Sequence, residues 1–176
     1  MKTIFNLLLT LDSVALLLVI YLVKTSTWIF NLGWLSVIVY LILVVIVSYV
    51  CIIITNKLSK DSIEGEIIGI ELANDSFLPI YLGYFFVALS IPNGQFITLI
   101  VVFSIIFCFL FCSQNLYYNP IFLLFGYKFY YITNQDNVRF FIITKQEIKS
   151  TNNLHFTNLR RINYFTFIDR EKIWII

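Results

Sequence analysis

Asp12 is a carboxylate set inside an apolar run, TLDSVALLLVIYLV, residues 10–23. Aspartate near the centre of a membrane helix costs about 2.5–3.5 kcal/mol on insertion scales, so it does not face lipid. Such a group either holds a neighbouring helix through hydrogen bonds or lines a wet pathway for protons and cations. Asn6, Thr10 and Ser13 are its local partners, and in a homo-oligomer several copies of Asp12 would meet near an axis. Glu64-Gly65-Glu66 offers a pair of carboxylates, suited to a cation or simply part of a solvated acidic loop. Cys108 and Cys112 lie four apart on one helical face. With no histidine or carboxylate beside them they read, like Cys51, as small buried hydrophobes, with a metal or a lipid as alternatives. The single histidine, His155 in NNLHFTN, has no obvious partner and reads as structural or solvent-facing. H-E-x-x-H, G-x-S-x-G and phosphate-cradling glycine loops are all missing, so neither catalysis nor a cofactor nor a metal site is expected.

The elements that must position Asp12 are membrane elements. The chain is 60% hydrophobic and only 12% charged, against about 45–50% and ~25% in soluble domains. The excess is gathered in blocks, and crossing a ~30 Å hydrocarbon core takes about 20 helical residues. The expected fold class is an α-helical integral membrane protein, with four transmembrane helices and a small β-rich C-terminal cytoplasmic domain. The spans fall at about 4–23, 28–54, 77–92 and 96–112, within a transmembrane domain 1–113 that carries a loop at 55–76. The first block has no A-x-A-like cleavage site and is longer than a signal-peptide core, so it is retained. The second is rich in valine and isoleucine, which would favour strands in water. In lipid the backbone must satisfy its own hydrogen bonds, and helix wins. Pro92-Asn93-Gly94-Gln95 marks a turn, so the third and fourth blocks read as a helical hairpin.

Charge sets the orientation. With four spans, the N-terminus, the 55–76 loop and the tail share one side, and eleven of the twelve Lys and Arg residues lie there; Lys24 is the exception. Positive charge stays inside, so both termini are expected in the cytoplasm and the chain in a bacterial inner membrane. Segment 55–76 is acidic, and EIIGIEL within it reads as a short strand or an interfacial segment. Glu64, Glu66 and Glu71 there, and Lys145, Lys149, Arg160 and Arg161 in the tail, are the candidate partner-docking residues. The acidic and basic sets dock a partner or anionic lipid, or pair with each other.

The tail, 114–176, is different in kind. FYYIT and VRFFIIT flank the polar quartet Asn134–Asn137, as strands flank a hairpin loop. INYFTFIDRE reads as a third strand, and the apolar end Ile173-Trp174-Ile175-Ile176 as a last strand or contact surface. The aromatics Tyr117, Tyr118, Tyr127, Phe129, Tyr130 and Tyr131 form either an interfacial belt or the core of the small domain.

One resemblance emerges from the tail. NPIFLLFGYKFYYIT (119–133), with FFIITKQEIK (140–149) and RRINYFTFIDRE (160–171), resembles the KwaA family, the membrane subunits of the bacterial Kiwa anti-phage system. Asn119-Pro120, Leu124-Phe125-Gly126-Tyr127 and Phe129-Tyr130 carry the likeness, and the plan of four spans and a β-rich tail agrees. The resemblance implies a membrane sensor and scaffold, not an enzyme. It further implies a homo-oligomer, for which a tetramer is a reasonable size, working with a cytoplasmic DNA-binding effector of the KwaB kind and touching no nucleic acid itself. The rival expectation is a small oligomeric ion channel or pore with Asp12 lining the pathway.

Overall fold

A computed structural model describes residues 2–29, 32–63, 65–73, 77–113, 119–151, 154 and 156–170. Glu64, Tyr117, Tyr118, His155 and the Ile173–Ile176 end lie outside the described residues. The chain forms two compact units. One comprises Thr3–Cys51 and Leu78–Asn119; the other gathers Ile52–Phe77 with the chain from Pro120 onward. The boundary drawn from sequence therefore runs differently, because segment 55–76 groups with the tail.

The first unit holds helices α1 (Lys2–Lys24), most of α2 (Gly33–Ile54), α3 (Phe77–Ser90) and α4 (Phe96–Ser113). The segments Ile4–Lys24 and Gly33–Lys57 are long and apolar enough to cross a membrane; α3 and α4 are apolar but shorter. At 1.5 Å per residue α3 is about 21 Å long. Val14, Leu17 and Tyr21 of α1 pack on Ala88, Ile91 and Leu99 of the α3–α4 hairpin, forming a closed core. The outward faces stay apolar: Ile46 is 56% exposed, Phe86 62%, Ile97 80% and Phe109 72%. Soluble monomers rarely expose so much contiguous hydrocarbon, whereas lipid-facing helices must.

The α3–α4 turn falls where the sequence puts it. Gly94 has φ +79°, a left-handed conformation that suits glycine, and the Gln95 N–H donates to Pro92 O at 3.3 Å. Lys24, the last residue of α1, has a structural duty here. Its ammonium donates to Leu89 O at 2.5 Å and Ile91 O at 2.6 Å, carbonyls at the C-terminal end of α3. A cation there satisfies orphan carbonyls and opposes the negative helix end. Lys24→Met is expected to destabilise this unit by about 1–2 kcal/mol, read as a lower unfolding midpoint of the solubilised chain, and Lys24→Arg to recover part of it.

The second unit is a five-stranded sheet in the order β1-β2-β3-β5-β4. Its strands are β1 (Ile67–Leu72), β2 (Lys128–Asn134), β3 (Arg139–Thr144), β4 (Leu159–Arg161) and β5 (Thr166–Asp169). All neighbours are antiparallel except β3 and β5. EIIGIEL is thus a strand, paired to β2 from Ile67↔Asn134 to Leu72↔Tyr130. The β2–β3 hairpin stands as read. INYFTFIDRE is a strand only in its second half, β5; residues 162–165 turn, because the Asn163 carboxamide oxygen accepts the Phe165 N–H at 2.9 Å while the Ile162 N–H donates to Thr166 O. Such side-chain capture of backbone is what asparagine offers a turn.

A short helix α5 (Ile121–Leu124) leads into the sheet. Gly126 closes it at φ +79°, with the Tyr127 N–H on Phe122 O at 3.0 Å. Tyr130, Ile132, Ile142, Leu159 and Phe167 form the core of one sheet face. On the alternate positions Phe129 and Phe141 stack at 5.7 Å, both buried. Tyr127, Phe129 and Tyr130 are therefore core residues, not a surface belt.

Candidate functional site

In the first unit the Asp12 side chain is 1% exposed, so neither lipid nor water satisfies it. Two donors do. Ser48 Oγ of α2 donates to Oδ1 at 2.8 Å, and Asn119 Nδ2 donates to Oδ2 at 2.5 Å. Asn119 Nδ2 also reaches Ser48 Oγ at 3.1 Å, closing a three-membered knot. Ser48 and Asn119 are themselves fully buried. From α3, Tyr81 OH donates to Ser13 O at 3.1 Å, one residue along from Asp12.

Of the local partners suggested by sequence, the hydroxyls of Thr10 and Ser13 are occupied elsewhere. Thr10 Oγ1 donates to Asn6 O at 2.8 Å and Ser13 Oγ to Leu9 O at 2.9 Å, the usual back-bonding of hydroxyls within a helix. Ser48 and Asn119 are the residues that the sequence reading missed. Ser48 stands out only as one of two serines in the otherwise apolar α2, and Asn119 as the residue before Pro120.

Depth follows from helix rise. Asp12 lies about 18 Å from Lys24 along α1, while Ser48 lies about 9 Å from the end of α2. The knot therefore joins the middle of α1 to the C-terminal part of α2. Chemically, two neutral donors on a carboxylate make a hydrogen-bonding joint between α1, α2 and the segment after α4. Charge-assisted bonds of this kind are about twice as strong as neutral ones.

The docking candidates of the second unit are largely used within it. Glu71 pairs with Arg139, whose guanidinium lies 3.8 Å from the Tyr131 ring centre. Arg161 pairs with Asp61, and Arg160 Nη1 donates to Leu58 O at 2.8 Å. Glu66 accepts from Gln135 Nε2 at 2.8 Å. Acidic segment and basic tail thus pair with each other at β1 and β4. Lys145 and Lys149 remain exposed, with Lys145 Nζ 4.9 Å from the Tyr127 ring centre. The resemblance residues are placed one by one: Asn119 in the knot, Pro120 at the N-terminal end of α5, Gly126 at its C-terminal turn, Tyr127 just before β2, and Phe129 and Tyr130 within β2.

Two helices long and apolar enough to cross a membrane, two shorter apolar helices and a small mixed sheet make this a helical protein with candidate membrane spans and a sheet unit. The model of the family described as anti-phage protein KwaA matches residues 5–168, nearly the whole chain, and the chain belongs to that family. Its role accordingly lies in anti-phage defence. No curated protein and no solved structure matches it.

Proposed function

We propose that this chain is the membrane-embedded sensor and scaffold of its defence system. In this reading α1–α4 all span the inner membrane, both termini are cytoplasmic, and copies assemble as a homo-oligomer. The sheet unit, with the 55–76 segment, recruits or controls a cytoplasmic DNA-binding effector, and the chain performs no catalysis of its own. One observation carries the reading. The buried carboxylate of the helical unit is held by Asn119, the last residue of that unit and the one from which the chain enters the sheet-bearing part. A change in helix packing therefore has a direct mechanical route to the tail. The eleven-to-one basic split supports the orientation, and the apolar outward faces support lipid contact and self-assembly.

Phage plaquing tests this on cells carrying the native operon, intact or with Asp12→Leu, with membrane levels of both checked. Protection by the intact operon and failure of a normally inserted mutant is the expected pair of results. Equal protection by both would remove Asp12 from the mechanism. The channel reading is favoured by nothing so specific, since Asp12 is buried within a single copy. Conductance in liposomes that is lost in Asp12→Asn would revive it.

A further inference from the structure

Four of the described arginines and lysines of the sheet unit already have partners: Lys128 on Glu147, Arg139 on Glu71, Arg161 on Asp61, and Arg160 on a carbonyl. At one place positive charge gathers without an ion pair among the described residues. Arg170 Nε donates to Asn56 Oδ1 at 2.9 Å and its Nη1 to Tyr127 OH at 2.7 Å. Lys145 Nζ stands over the same Tyr127 ring, and Lys57, exposed, follows Asn56 in the chain. No ion pair among the described residues includes Arg170, Lys145 or Lys57. The nearby carboxylate, Asp169, is buried and accepts from Thr144 Oγ1 at 2.8 Å and Gln146 Nε2 at 3.1 Å. Burial pushes the Tyr127 hydroxyl up from its ordinary value, although Arg170 pulls the other way, so the phenol stays neutral and cancels neither cation.

Location supplies the ligand. Asn56 and Lys57 form the turn Thr55–Lys57 that directly continues α2, which ends at Ile54. If α2 spans with this end inside, the cluster lies at the headgroup level of the cytoplasmic leaflet, where anionic phosphates are abundant and basic side chains with tyrosine are favoured. We propose that Lys145 and Arg170, gathered around Tyr127, with Lys57 next to Asn56 in the chain, bind the phosphate of an anionic phospholipid, with phosphatidylglycerol as the test ligand. The proposal rests on the span reading above. It gives the sheet unit a direct contact with the lipid composition of the leaflet.

The full chain, purified in neutral detergent, is titrated with short-chain phosphatidylglycerol while its unfolding midpoint is followed. The expected result is a saturable rise that phosphatidylcholine and free glycerol phosphate do not give. Lys145→Gln and Arg170→Gln should each weaken the apparent affinity about five-fold, the value of one basic residue near an anionic surface. Lys145→Gln leaves the Arg170–Tyr127 bond in place, so it decides the matter even where Arg170→Gln folds poorly. Unchanged affinity in Lys145→Gln, or an equal rise with phosphatidylcholine, overturns the proposal. An equal rise with glycerol phosphate makes the site one for soluble anions and overturns it too. Alkaline washing of membranes separates the two layers of argument: release of the chain defeats the span reading, whereas a retained chain with a flat titration defeats only the lipid site.

Discussion

Asn119→Leu should lower the stability of the helical unit by about 2–3 kcal/mol, and adding Asp12→Leu to it should restore much of that loss. The single change removes the donor on Asp12 Oδ2 and leaves a buried carboxylate with Ser48 alone. An under-satisfied buried charge costs more than the bond it has lost, because no water replaces the missing donor. With leucine at both positions the charge itself is gone, and an apolar pair occupies the gap between α1 and the chain after α4. Recovery is incomplete, since Asn119 also donates to Ser48 at 3.1 Å. Unfolding midpoints of the four proteins of the double-mutant cycle, measured in one detergent, give the coupling directly. Strict additivity would mean that Asp12 and Asn119 do not act on each other, and the knot would lose its standing as a joint.

Phe129→Ala is the second large effect, about 3–5 kcal/mol, and it falls on the sheet. Phe129 is fully buried, stacked on Phe141 of the neighbouring strand, and its removal leaves a cavity between strands that cannot close without shifting β2. Amide exchange in β2 and β3 should accelerate about a hundred-fold or more, at 1.4 kcal/mol for each factor of ten. Tyr164→Ala, at the exposed β4–β5 turn, is the matched control and should change stability by about 0.5 kcal/mol or less. Exchange in β2 that stays at the wild-type rate in Phe129→Ala would show that the sheet does not depend on this stack.

The sequence reading succeeded where a local rule decides the outcome. Long apolar runs leave a backbone no choice but helix, so α1, α2 and α4 begin and end within a few residues of expectation, and α3 stops at Ser90, two residues short of Pro92. The α2 start moved from 28 to Gly33, leaving Trp28 outside the helix. The β2–β3 hairpin was legible from alternation and a polar quartet. What escaped is non-local. The partners of Asp12 lie 36 and 107 residues away, and no periodicity joins residues across such distances. Likewise the charges at 61, 71, 139 and 161 were visible, but their pairing depends on strand register, which only the folded sheet fixes. The turn at Asn163 was hidden inside a run whose aromatic composition favours strand.

The place of β1 in the sheet also dictates an order of events during synthesis. About 55 residues, including both helices of the α3–α4 hairpin, separate Leu72 from Lys128, its sheet neighbour's first residue. As the chain leaves the ribosome, β1 emerges first and must wait with an unpaired edge while the hairpin is made and disposed of. Only then does β2 arrive to close the ladder. A tail expressed from residue 114 would carry β2 with one side bare, and would be expected to aggregate or to capture a foreign strand. Any study of the sheet in isolation therefore needs residues 55–76 supplied alongside it.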